Sequence, residues 1–90
     1  MSQTAYEVVL SRTAEKEFKG LHPRVRGQIR QRLLDLEVTP RPHDSKRLKG
    51  SGRDHRIDSG EYRVLYEVSD PEKRVLVWRI AHRKDVYRNL

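Results

Sequence analysis

Six side chains between residues 56 and 87 have types suited to chemistry on a phosphate: Arg56, Asp58, Arg63, His82, Arg83 and Tyr87. Guanidinium groups bind phosphate through paired N–H donors. They also stabilise the extra negative charge of a pentacoordinate, phosphorane-like state. Arginine cannot be the base, because its pKa lies above about 12. A base must come from Tyr87, His82, His55, Asp58, Glu61, Lys49 or Lys84. Cleavage of RNA needs only its own 2′-OH as nucleophile, a base near that hydroxyl and an acid near the leaving 5′-oxygen, so no metal is required. Tyr87 stands among cations, which favour the phenolate; its other reading is a half-buried aromatic near the end of the chain.

The elements that must position these groups are legible in the periodicity. From Tyr62 to Ser69, Tyr62, Val64, Tyr66 and Val68 alternate with Arg63, Leu65 and Glu67, the pattern of a strand with two unlike faces. Arg63 therefore points away from the face that packs. Asp70-Pro71-Glu72-Lys73 reads as a turn, and Arg74 to Ala81 as a second strand, antiparallel to the first, in which Leu76, Trp78 and Ile80 alternate with Val75, Val77 and Arg79. Ala5 to Leu10 reads as a first strand. Ser11 or Thr13 then caps a helix whose Ala14, Phe18 and Leu21 share one face. Gly20 ends that helix, Pro23 starts the next, and Val25, Ile29, Leu33 and Leu36 form the stripe of a second helix running to about Val38. Arg41 to Asp54 reads as a loop, and His55 to Asp58 as a short strand leading to a Ser59-Gly60 turn.

The expected fold is α+β in two layers: a helical hairpin packed on one face of a small, mostly antiparallel four-stranded sheet, in the order β-α-α-β-β-β. The other face is expected to stay open, with Arg56, Arg63 and the cations of the tail converging there into a concave basic cleft. Ninety residues make one domain, 1–90, and at 34% hydrophobic and 37% charged its core must be thin. Twenty Lys and Arg, fourteen of them Arg, against thirteen Asp and Glu give +7, which points to a polyanionic partner. The absence of cysteine excludes disulfides and thiolate chemistry. His22, His43, His55 and His82 show no metal-ligand spacing, so neither metal nor cofactor is expected. No apolar run has the length of a membrane span, and a cytoplasmic location with no membrane partner is the expectation.

Leu48 to Gly50 (LKG), Arg56-Ile57, Gly60 to Tyr66 (G-x-YR-V-x-Y) and His82 to Tyr87 (HR-x-D-V-Y) occur in this order. Their combination resembles the RelE toxins of the RelE/ParE toxin–antitoxin superfamily, over nearly the whole chain. The resemblance implies a metal-independent endoribonuclease that cuts messenger RNA in the A site of the 70S ribosome and is neutralised by a cognate RelB-like antitoxin. Residue by residue, Arg63 matches the phosphate-binding arginine of the central strand, Arg83 the arginine after the last strand, and Tyr87 the C-terminal tyrosine. Arg56 falls where the family often has a catalytic lysine or arginine. Asp58 departs from the pattern, standing where a second basic residue is usual, and can be a base, a salt-bridge partner of Arg56 or a mark of low activity. Some relatives use a carboxylate and a histidine, which brings in Glu61 and His82. Lys46, Arg47, Lys49, Arg53, Lys84 and Arg88 are the expected RNA-binding cations.

Two rival readings come from other classes. A ParE-like toxin inhibits gyrase without cleaving nucleic acid, but such chains generally lack the arginine and tyrosine cluster. A DNA-binding helix-turn-helix would use the second helix, but the His22-Pro23 junction is poorly suited to its tight turn.

Overall fold

The computed structural model describes residues 5–50 and 52–86. Chain order is β1 (Glu7–Leu10), α1 (Arg12–Lys19), α2 (Pro23–Val38), β2 (Lys46–Arg47), β3 (Asp54–Ser59), β4 (Tyr62–Ser69) and β5 (Arg74–His82). The sheet runs β1-β5-β4-β3-β2; β1 pairs parallel with β5, and the remaining pairs are antiparallel. Among the described residues it has five strands rather than the expected four. The extra one, β2, lies in the stretch read as a loop and is two residues long, too short to display any alternation. β3 and β4 are joined by Gly60 and Glu61, with Gly60 at φ 59, the left-handed conformation that a tight hairpin demands.

Both helices begin on side-chain caps. Ser11 accepts from the Ala14 N–H at 3.1 Å, and His22 Nδ1 accepts from the Arg24 N–H at 3.1 Å, immediately before Pro23. Ala14, Ile29, Leu33 and Leu36 from the helices meet Ile57, Val64, Tyr66, Val68, Val75, Val77 and Ile80 from the sheet in one buried cluster, with Phe18, Leu21, Val25 and Tyr62 packed against it. The expected two-layer packing is therefore present. β1 begins two residues later than expected, because the Tyr6 N–H is drawn to the Glu37 carbonyl at 2.8 Å, in the last turn of α2.

In β5 the simple alternation fails. Val64 faces Ile80 and Leu65 faces Arg79, but Tyr66 faces Val77, so Trp78 is an extra residue opposite the Leu65/Tyr66 step. Ile80 consequently shares the helix-side core with Val75 and Val77 instead of following Leu76 and Trp78. The Trp78 indole N–H reaches Asp54 at 3.3 Å. Arg79 is turned toward α1, where its Nε lies 2.7 Å from Glu17 Oε2; the other oxygen of Glu17 accepts the Ile80 N–H at 2.7 Å. β1 is paired with β5 only from Arg74 to Val77, so Glu17 supplies an acceptor where no strand does.

The face away from the helices is not fully open. Leu65, which alternation places there, is fully buried, as is Val86 in the turn after β5. That turn is tied down by Asp85 and Val86 N–H groups donating to the His82 carbonyl, and by Arg79 donating to the Asp85 carbonyl at 3.4 Å.

Tyr66 is buried and stacked on His55 at 5.6 Å between ring centroids. Its hydroxyl, near Ser45, makes no well-formed hydrogen bond, and burial pushes the phenol up to about 12 from its ordinary 10.0. A folded-state pKa above the unfolded one means that this contribution is fully present below pH 10 and is lost as pH rises toward 12. Urea unfolding of Tyr66→Phe against wild type should differ little at pH 8. The variant should gain on the order of 2 kcal/mol relative to wild type by about pH 12. A stability difference independent of pH would show that the phenol ionises equally in both states.

Candidate active site

The alternation of β3 and β4 sends Arg56, Asp58 and Arg63 to the face opposite the helices, and the hairpin register sets Asp58 directly across from Arg63. Arg63 Nε lies 2.9 Å from Asp58 Oδ1, and Arg56 Nη1 lies 3.9 Å from the same oxygen. The two guanidinium side chains are 22% and 24% exposed against 52% for Asp58, so the cations are recessed and the acid stands outside them. Asp58 is thus a partner of both arginines, and more closely of Arg63 than of the expected Arg56.

A second group lies at the hairpin end. Arg83 Nε is 3.1 Å and His82 Nε2 3.9 Å from Glu61 Oε1, while the Arg83 N–H donates to the Glu61 carbonyl at 2.7 Å. His82 pairs with Tyr62 across the strands and meets its ring edge-on at 5.5 Å. That register puts His82 on the helix side, not beside Arg63. His82 Nδ1 accepts the Lys84 N–H at 3.1 Å, which leaves Nε2 as the nitrogen that carries the proton in the neutral ring. Glu61 therefore organises the cations after β5, a role that residue types alone did not disclose; its position in the two-residue hairpin was the available signal.

The expected RNA-binding cations are spread more widely. Lys46 pairs across from Arg56 and shares its face, whereas Arg47 pairs with His55 and belongs to the helix side. Lys49 precedes Gly50 in a turn, Arg53 sits 4.0 Å from Glu67, and Lys84 lies in the turn after β5. Tyr87 and Arg88 lie outside the described residues. A groove of about 620 Å³ lined by Val9, Leu10, Phe18, Arg26 and Arg30 lies along the opposite edge of the sheet, between β1 and the helices. The expected concave basic cleft includes the cations of the tail, the last of which lie outside the described residues.

Residues 8–87 match the family model described as ParE toxin of type II toxin-antitoxin system, parDE. The isolated E. coli RelE toxin superposes with a TM-score of 0.78 at 29% identity, over 87% of this chain and 84% of that one. RelE in the intact E. coli RelBE toxin-antitoxin complex gives 0.78 at 30% identity, over 87% of this chain and 96% of that one. A Methanocaldococcus jannaschii protein carrying the RelE1 name is 29% identical over 87 residues, which is 93% of this chain and 97% of the relative.

Proposed function

Since the chain belongs to the ParE toxin family of type II toxin–antitoxin systems and is a RelE-family toxin in sequence and fold, we propose that it cleaves messenger RNA on the ribosome. The observation that carries this reading is the recessed pair Arg56 and Arg63, converging on a single acidic oxygen where a phosphate oxygen would sit. In the proposed reaction the RNA 2′-oxygen attacks the adjacent phosphorus and the bond to the 5′-oxygen breaks. The products are a 2′,3′-cyclic phosphate and a 5′-hydroxyl, the proton passing from the 2′-OH to a base and from an acid to the leaving oxygen. Arg56, Arg63 and Arg83 stabilise the charge that builds on the non-bridging oxygens. Tyr87 is the candidate for proton transfer at the phosphate held by Arg56 and Arg63, His82 standing on the helix side at the hairpin end, and no metal takes part. Lys46, Arg47, Lys49, Arg53, Lys84 and Arg88 would hold the RNA and the ribosomal surface. The partner in the free cell would be a RelB-like antitoxin, as in the solved RelBE complexes.

The ParE name of the matching family model keeps gyrase inhibition as the second reading. Primer extension on messenger RNA after induced expression separates the two. Cuts inside translated codons, absent from untranslated transcripts, are the expected result. Intact messenger RNA accompanied by loss of DNA supercoiling would replace the nuclease reading with the gyrase one.

A further inference from the structure

The arginines of this site are each held by an acid of the β3–β4 hairpin. Asp58 offers one oxygen to Arg63 at 2.9 Å and Arg56 at 3.9 Å, and Glu61 offers one oxygen to Arg83 at 3.1 Å and His82 at 3.9 Å. In both groups a single carboxylate oxygen faces two basic side chains, as a non-bridging phosphate oxygen would. Both acids are also at least as exposed as the cations they hold, at 52% and 60%, so an anion arriving from solvent meets the carboxylates first. The hairpin fixes this arrangement: the register sets Asp58 opposite Arg63, and the Gly60 turn brings Glu61 back beside Arg83.

We propose that Asp58 and Glu61 are internal counterions that occupy two phosphate subsites and must be displaced by neighbouring phosphates of a single-stranded RNA. The inference rests on the nuclease reading and deepens it. The two acids keep the guanidinium groups aligned while making the site a poor trap for free polyanions. RNA engages well only when something else holds it at high effective concentration against the hairpin. Asp58 and Glu61 are thus positioning residues that set which RNA is bound, free or presented.

Counterion release supplies a signature that a structural role would not produce. A phosphate that displaces an internal carboxylate leaves that carboxylate to gather cations in turn, so the net ion release from that subsite is close to nil. Removing the acid restores the release. For binding of a 2′-O-methyl oligonucleotide, which lacks the nucleophile, the slope of log affinity against log salt should steepen by about 0.7 for each of Asp58→Asn and Glu61→Gln. At low salt each variant should bind about two- to fivefold tighter, the range expected for a partly exposed ion pair. Asp58→Glu and Glu61→Asp, which keep the charge, should return the wild-type slope.

Unchanged slopes and equal or weaker binding in both amide variants would overturn the proposal. If Arg63→Ala still weakens oligonucleotide binding in that case, the nuclease reading survives without the counterions. If neither wild type nor any variant binds the oligonucleotide more tightly than an uncharged peptide nucleic acid of the same sequence, the phosphodiester site fails, and the counterion proposal with it.

Discussion

Arg63→Ala should slow cleavage of ribosome-bound messenger RNA by about two to three orders of magnitude, the loss that follows removal of one preorganised donor to a developing oxyanion. Arg63 is recessed, at 22% exposure, and held by Asp58 at 2.9 Å, so its guanidinium is in place before substrate arrives. Preorganisation of this kind separates a catalytic cation from one that merely attracts RNA. The fold should survive, since Arg63 lies outside the helix-side core. Arg63→Lys keeps the charge but loses the two-pronged geometry and should fall between wild type and Ala. Arg83→Ala should cost less, because Arg83 is 56% exposed and solvent screens it. The measurement is a single-turnover cleavage rate on programmed ribosomes, with growth arrest after induction as the cellular counterpart. A wild-type rate in Arg63→Ala would remove this arginine from the chemistry.

Glu17→Ala should produce the largest loss of stability outside the apolar core, on the order of 3 kcal/mol in urea unfolding. Glu17 satisfies two groups at once: the Arg79 guanidinium at 2.7 Å and the Ile80 N–H at 2.7 Å. Its side chain is 22% exposed and that of Arg79 17%, so water replaces the carboxylate poorly. Truncation would leave a half-buried cation and an unmet backbone donor together. Glu17→Gln retains an acceptor for Ile80 and should recover part of the loss. If Glu17→Ala unfolded at the wild-type urea concentration, the edge of β5 beyond β1 would have to be satisfied by water. Arg79 also donates to the Asp85 carbonyl, so increased hydrogen exchange at Asp85 and Val86 should accompany the destabilisation.

The helices and the β4 strand were legible because Ile29, Leu33 and Leu36, and Val64, Tyr66 and Val68, recur at the spacing of one face. β5 was legible as a strand but not in its facing. An inserted residue such as Trp78 leaves no mark in a run where every position is apolar or amphipathic, and the bulge is set by pairing with β4. β2 is formed by its register with β3, not by any pattern of its own. At the site, residue types identified Arg56, Arg63 and Arg83 as phosphate-binding candidates. They did not show that Asp58 would lie nearer Arg63 than Arg56, since Arg63 becomes its neighbour only through the hairpin register. Glu17 carries no local signal of its role, since its partner Arg79 lies 62 residues further along and is reached only through packing of α1 on β5.

The parallel pairing of β1 with β5 sets Glu7 beside Arg74, so the first strand made is among the last to find its partner. At roughly 5–20 residues per second, a chain under synthesis waits several seconds between the appearance of these two segments. In that interval α1 and α2 have no completed sheet on which to lie, and Glu17 has neither Arg79 nor Ile80 to hold. Local pairing of β3 with β4 closes a short loop, whereas pairing β1 with β5 closes a long one and carries the larger entropic cost. The sheet is therefore completed only when residues 74–77 are free to meet residues 7–10, whatever the hairpins between them have already formed.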